Sequence, residues 1–238
     1  MRGQPDFGGG AAVTGGASQV SFAELAARLG SINIYDMRGR VLWLDDFEPT
    51  MSAWVVGLAG TASWKYDNNY YRSGNQCLKL SAPTGDISFT KFYPEQFTKR
   101  LGVEIAFSKP DADTAFRLGM AKYDGTDIYY AELKIDFSDN KVYLTSGVAN
   151  AFVERFTHAG FLSQATCYYP VKLVADFATK KFVRLLIGGD EWDLSDLSLG
   201  TEGFPATVRY NVQFQLEQVA GAGGDLYVDD YIFTHGEP

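Results

Sequence analysis

Leu226-Tyr227-Val228-Asp229-Asp230-Tyr231-Ile232-Phe233, near the end of the chain, reads like Val41-Leu42-Trp43-Leu44-Asp45-Asp46-Phe47-Glu48 near its front. Each run is rich in the β-branched, aromatic and aliphatic residues that fit a pleated surface. Each also carries an Asp-Asp pair. Strand-like sequence fills the interval between them. Matching runs at the two ends are expected to lie side by side, closing the chain into one β-sandwich.

The interval alternates with a period of two. In residues 207–219, Val208, Tyr210, Val212, Phe214 and Leu216 fall on one face, and Arg209, Asn211, Gln213, Gln215 and Glu217 on the other. In residues 129–137 the faces are Tyr129, Ala131, Leu133, Ile135 and Phe137 against Tyr130, Glu132, Lys134 and Asp136. This is the pattern of half-buried strands. Asp139-Asn140 is expected to turn the second of these into a strand over 141–145, with Asp136 opposite Tyr143. Asp124-Gly125 and Gly188-Gly189 signal two more hairpins. Further strands are expected near 77–81, 86–92, 101–108, 115–123, 171–177 and 182–187. The expected class is all-β: an antiparallel jelly-roll β-sandwich preceded by an extended arm, a short helix and a hairpin.

Composition agrees with one large sandwich. The chain has 238 residues, with 46% hydrophobic and 15% aromatic residues and 25 glycines for its turns. A chain of this length buries about 70–75% of its unfolded surface and needs no cross-links. The net charge of −8 argues against a phosphate backbone as partner, so no nucleic acid is expected. No run approaches the roughly 18 apolar residues of a membrane span. Met1–Phe7 opens no apolar run of signal-peptide length. Cys77 and Cys167 could form a disulfide or stand as two small buried hydrophobes.

Residues 1–20 form a Gly/Ala-rich arm with little intrinsic structure. Ser21 and Glu24 make a capping box for a short helix. Val20 and Leu25 are spaced as its hydrophobic staple, Phe22, Leu25, Ala26 and Leu29 share a face, and Gly30 ends it. Residues 32–35 and 40–44 read as strands around the turn Asp36-Met37-Arg38-Gly39. Residues 1–44 are therefore a docking segment, and 45–238 the sandwich. Phe7, Val20, Phe22, Leu25 and Leu29 are the candidate assembly residues.

Several segments resemble the concanavalin A-like, laminin-G-like jelly roll. They are Leu44-Asp45-Asp46-Phe47-Glu48 with Trp54, Ser73-Gly74-Asn75-Gln76-Cys77-Leu78-Lys79-Leu80, residues 171–177 with 182–194, and Tyr227-Val228-Asp229-Asp230. The resemblance spans about residues 45–235 and implies the fold more than the function. The front segment, by its organisation, is similar to accessory (decoration) proteins of bacteriophage particles.

Three groupings could carry chemistry. Asp45, Asp46, Glu48, Asp229 and Asp230 could meet where the first and last strands lie together. Hard oxygen ligands there would suit a structural Ca²⁺, a site the resemblance also implies, or the carboxylates could cap backbone N–H groups. Trp64, Tyr66, Tyr70 and Tyr71 could stack on sugar rings, with Asn68 bonding hydroxyls. The row containing Asn211 and Gln213 could bind a glycan if it lines the open face of a sheet. Enzyme chemistry finds little footing: His158 and His235 are the two histidines, without a nucleophile elbow, and Glu132 and Asp136 stand two pleats apart around Lys134. The leading expectation is a non-enzymatic structural or decoration protein of a particle, a phage virion. It would bind its own copies or capsid and tail proteins through its front segment, at a virion surface or outside the cell. The alternative is a glycan-binding module, and a polysaccharide hydrolase or lyase ranks third.

Overall fold

The computed structural model describes residues 36, 38–48, 54–94, 99–109, 114–158, 160–162, 164–219, 221 and 223–238. The expected helix, the strand expected at 32–35, and the assembly residues Phe7, Val20, Phe22, Leu25 and Leu29 lie outside them. Fifteen strands run through the described residues. The first five are β1 (Arg40–Asp45), β2 (Val55–Leu58), β3 (Ser63–Asp67), β4 (Cys77–Ala82) and β5 (Asp86–Tyr93). Next come β6 (Arg100–Ser108), β7 (Thr114–Tyr123), β8 (Asp127–Asp136), β9 (Lys141–Thr157) and β10 (Tyr168–Asp176). The chain ends with β11 (Lys181–Ile187), β12 (Asp190–Asp193), β13 (Gly200–Gly203), β14 (Arg209–Gln218) and β15 (Gly224–His235).

They form two sheets. One runs β12-β11-β10-β6-β15-β4-β3, with β1 also on β15, and the other runs β13-β9-β8-β7-β14-β5-β2. The two ends of the chain do pair. β1 lies antiparallel on β15, with Arg40 opposite His235 and Asp45 opposite Tyr231. β15 holds β4 along Gly224–Val228 and β1 from Tyr231 onward. The change of partner falls at a β-bulge, where Asp230 has φ 51° and the register against β6 slips. β1 thus belongs to the sandwich, and a division at residue 44 runs through it.

Alternation places one face of every long strand inside. Phe116, Leu118 and Met120 of β7, Val212 and Phe214 of β14, and Leu226 and Val228 of β15 share one buried core. Phe89 and Phe214 stack there at 4.9 Å, and Trp54 sets its edge 5.0 Å from Phe214 and 4.9 Å from Tyr231. Burying one such side chain contributes about 1.5–3 kcal/mol. Trp43, Trp54 and Trp192 all pack against this core.

The β8–β9 register differs from expectation. Asp136 faces Lys141, and Tyr143 faces Lys134. The turn has four residues, because the Asp136 carboxylate accepts the Ser138 N–H at 3.0 Å and Asn140 takes φ 57°. Phe137 is thereby turned into the core. The β10–β11 loop repeats the device, with the Asp176 carboxylate on the Ala178 N–H and Lys180 at φ 57°. Cys77 is buried, Cys167 is half-buried, and both are free.

Candidate functional site

The outer face of the seven-stranded sheet is built from residues that alternate away from the core. β7 presents Arg117, Gly119, Ala121 and Tyr123. Register places Gln213 of β14 and Glu132 of β8 on either side of Gly119, and Asn211 and Tyr130 on either side of Ala121. Thr90 and Phe92 of β5 extend the same two rows. A large residue at each end of β7 and two small ones between make a low stretch of backbone and methyl, itself buried between the side chains that rise on either side. Amide, hydroxyl and carboxyl side chains flank it. Gly119 is needed for this arrangement, since a Cβ there would stand 2.5 Å from Glu132 Cγ.

One end of the floor is charged. Arg117 pairs with Glu217, and Lys134 Nζ lies 3.5 Å from the same carboxylate. The Arg117 guanidinium also sits 4.6 Å from the Phe152 ring centroid. Burial pushes the Glu132 carboxyl above its ordinary range; Arg117 opposes this and Glu217 adds to it. The Glu132 N–H donates to Thr145 Oγ1 at 3.1 Å, which fixes the strand beneath. At the other end the Arg209 guanidinium lies between two rings, 4.5 Å from the Phe92 centroid and 4.7 Å from that of Tyr123. Phe204 sets its edge on Tyr123 at 6.4 Å. Phe92 and Phe204 are 44% and 50% exposed, rings that a sugar face could meet.

The two groups of glycan candidates fall on different sheets. Asn211 and Gln213 flank the floor. Trp64 and Tyr66 belong to β3 in the other sheet and pack against the core, with Trp64 edge-on to Phe89 at 6.0 Å. Both are half-buried on the edge strand of that sheet. Asn68, Tyr70 and Tyr71 follow β3 and are exposed. Tyr70 leans on Tyr227 at 5.1 Å, and its carbonyl accepts the Tyr168 hydroxyl. A shallow cavity of about 140 Å³ beside them is lined by Ser63, Trp64, Lys65, Lys79 and Ser81. Its lysines are already matched, Lys79 to Asp225 and Lys65 to Asp67.

The acidic residues of the paired ends do not converge. Asp45 accepts the Phe47 N–H at 3.0 Å and the Trp54 indole N–H at 2.8 Å, holding Phe47 in the core at φ 56°. Asp46 accepts the Glu48 N–H, and Glu48 accepts the Asn75 and Gln76 N–H groups. Asp229 accepts the N–H groups of Arg72 and Ser73 at 2.9 and 3.1 Å. Asp230 accepts the Ser73 hydroxyl at 2.6 Å and pairs with Arg72. These carboxylates cap turns, as their short side chains allow. Among the described residues no group of three or more His, Cys, Asp or Glu side chains could hold a metal ion, so the grouping expected for Ca²⁺ is not assembled.

The outer face of the eight-stranded sheet carries an ion network with no signal in the sequence. Lys172 Nζ lies 2.8 Å from Glu237 and 3.3 Å from Asp36. Arg184 pairs with Asp36 at 2.8 Å and with Glu237, and donates to the Pro238 carbonyl at 2.9 Å. All four side chains are buried. Burial works against charge on Asp36, yet Arg38, Lys172 and Arg184 together hold its carboxyl well below the usual range.

No family model matches the chain, and no curated protein matches it. Solved structures do. An endo-β-1,4-glucuronan lyase from the fungus Trichoderma reesei is similar over 82% of this chain and 95% of its own, at 13% identity and a TM-score of 0.59. A Bacillus subtilis protein of unknown function with a galectin-like fold is similar over 83% and 97%, at 14% identity and a TM-score of 0.56. What these likenesses show is the fold, a concanavalin A-like jelly-roll β-sandwich. These likenesses lend no support to a phage decoration arm, and the arm itself lies outside the described residues.

Proposed function

We propose that the protein binds a polysaccharide across the outer face of the seven-stranded sheet. The observation that carries this is the outward sequence of β7, Arg117-Gly119-Ala121-Tyr123, with Asn211, Gln213, Tyr130 and Glu132 on either side. A chain of sugars needs a long floor, hydroxyl-bonding groups at its edges and a ring to stack on. All three are at hand. That one protein of this fold acts on glucuronan makes carbohydrate the first ligand class to try. The particle-decoration role, by contrast, rests on residues outside the described part of the chain.

The test is affinity electrophoresis and calorimetry of the full chain against a panel of soluble polysaccharides, neutral and acidic. Wild type should bind at least one. An Asn211→Ala/Gln213→Ala double variant should bind on the order of tenfold more weakly, a loss of about 1.4 kcal/mol, with an unchanged melting temperature. Folded wild type that binds no polysaccharide would sink the reading. One observation favours a second reading, cleavage of the bound chain: Glu132 stands opposite Gly119 on this face with its carboxyl raised by burial, the direction a general acid needs. Product analysis with wild type and Glu132→Gln tests it, since a cleaving enzyme must lose turnover in the variant.

A further inference from the structure

We propose that Arg209 is an anion-recognising position on this face, and that the glycan it takes is acidic, with carboxylate or sulfate ester groups on its sugars. The inference rests on the polysaccharide reading above and names its ligand class. Its basis is a contrast among cations of one sheet face. Arg117 and Lys134 share the carboxylate of Glu217. The Arg209 side chain has no ion pair or hydrogen bond among the described residues; two aromatic rings, Phe92 and Tyr123, hold it instead. Its Nε is buried without a partner, as is that of Arg117; the contrast lies at the outer nitrogens of the fork, which Glu217 takes from Arg117 and no described carboxylate takes from Arg209. A buried N–H left unmade costs about 1–3 kcal/mol, more when the group is charged.

The clamp prepares the residue for an anion. Guanidinium is planar and always charged, and its fork matches carboxylate or sulfate oxygens two at a time. Rings packed beside it remove its rotamer freedom before any ligand arrives, so less entropy is lost on binding. The clamp also has a position in the groove. Arg209 faces Tyr123 across the β14–β7 ladder, and Asn211, one pleat along, flanks the Ala121 floor. A sugar on that floor would bring a ring substituent to Arg209 while its hydroxyls met Asn211 and Tyr130. The chain's charge of −8 works against a polyanion at long range. That repulsion is screened over about 8 Å at physiological salt, whereas a direct contact lies well inside that length.

The experiment uses the full chain and three probes: hexuronan oligomers, the same oligomers with their carboxyl groups reduced to alcohols, and sulfated glucan oligomers. Wild type should bind one acidic probe at least about tenfold more tightly than the reduced one. The loss expected for a hydrogen bond to a charged group is on the order of 10- to 100-fold. Arg209→Met should erase that preference while keeping the residual affinity for the reduced oligomer. Arg209→Lys, which keeps the charge and loses the fork, should recover part of it and also serves if the methionine variant does not fold. Whichever acidic probe wins identifies carboxylate or sulfate as the source. Equal binding of acidic and reduced oligomers, or an acid preference that survives in both variants, overturns the inference and leaves polysaccharide binding standing. Binding of none of the three overturns both.

Discussion

The two outer faces of this sandwich solve the same problem in opposite ways. Each is a sheet face studded with charge. On the eight-stranded sheet the charges are covered: Asp36 and Arg38 come in from the front, and Glu237 and Pro238 from the end. Both clamp onto Lys172 and Arg184. Gly102 beneath them leaves room for this, since a Cβ there would meet Thr234 Oγ1 at 2.6 Å and Glu237 Oε1 at 2.8 Å. At the far end of the same face, Asp229 is roofed by the N–H groups of Arg72 and Ser73. On the seven-stranded sheet the small residues lie under no strap among the described residues, and Arg209 has no counter-ion there. Charge that is covered and paired serves architecture; charge that is positioned and left without a partner is available to a ligand.

The strongest way to break that contrast is to cut the covered network. Arg184→Met leaves the two buried carboxylates with Lys172 as their one shared cation, Asp36 keeping Arg38 and Glu237 the Thr234 hydroxyl. Breaking a buried pair from one side costs about 3–5 kcal/mol. Urea unfolding should show a midpoint shift of that size with an unchanged slope. A cost below about 1 kcal/mol would mean that the network is not desolvated and the two faces are alike.

Acidity separates the same network from Asp229. Burial, with Asp230 beside it, pushes the Asp229 carboxyl up to about 7 from its ordinary 3.8, against the N–H groups that bond it. In the window between those values the unfolded chain ionises the group while the folded chain keeps the proton. Stability is therefore full below pH 3.8 and falls as pH rises toward 7, by about 4 kcal/mol at most. Asp36 has the opposite sign: its lowered carboxyl contributes stability above its ordinary 3.8 that is lost as pH falls below it. A folding free energy measured from pH 3 to 8 should thus rise and then decline. Asp229→Asn should remove the decline, and a decline that persists in that variant refutes the assignment.

Part of this was legible beforehand and part was not, for a physical reason. Alternation in 129–137 and 207–219 is local, so the faces of β8 and β14, with Asn211 and Gln213 outward, could be read directly. The pairing of β1 with β15 could be read from their likeness. Register is not local. It decides that Asp45 meets Tyr231, so the acidic pairs pass each other and each caps its own turn. It also decides that Gly119 and Ala121 lie between Gln213, Asn211, Glu132 and Tyr130; the sequence held the signal, small residues at outward positions of 115–123, but not its neighbours. That Trp64 and Tyr66 lie on the opposite sheet from Asn211 and Gln213 was likewise hidden, since sheet membership is set by pairing and not by composition. The Asp36–Lys172–Arg184–Glu237 network has no sequence period at all, since its members meet only after the sheet has formed.

The smallest expected effect sharpens the comparison most. Arg117 and Arg184 are both arginines on outward strand positions, and both pair with glutamate. Arg117→Met should nonetheless cost about 1 kcal/mol or less, the range of partly exposed pairs. Its side chain is 25% exposed against 5% for Arg184. Its partner Glu217 keeps Lys134 at 3.5 Å, so no carboxylate is stranded, and methionine can preserve the contact with Phe152. What Arg117→Met should change is the proton on Glu132, whose carboxyl Arg117 holds down. Its titration, followed by NMR, should move to higher pH in the variant. A stability loss as large as that of Arg184→Met would show instead that this face is held together by its charges, and the distinction between a covered face and a binding face would be lost.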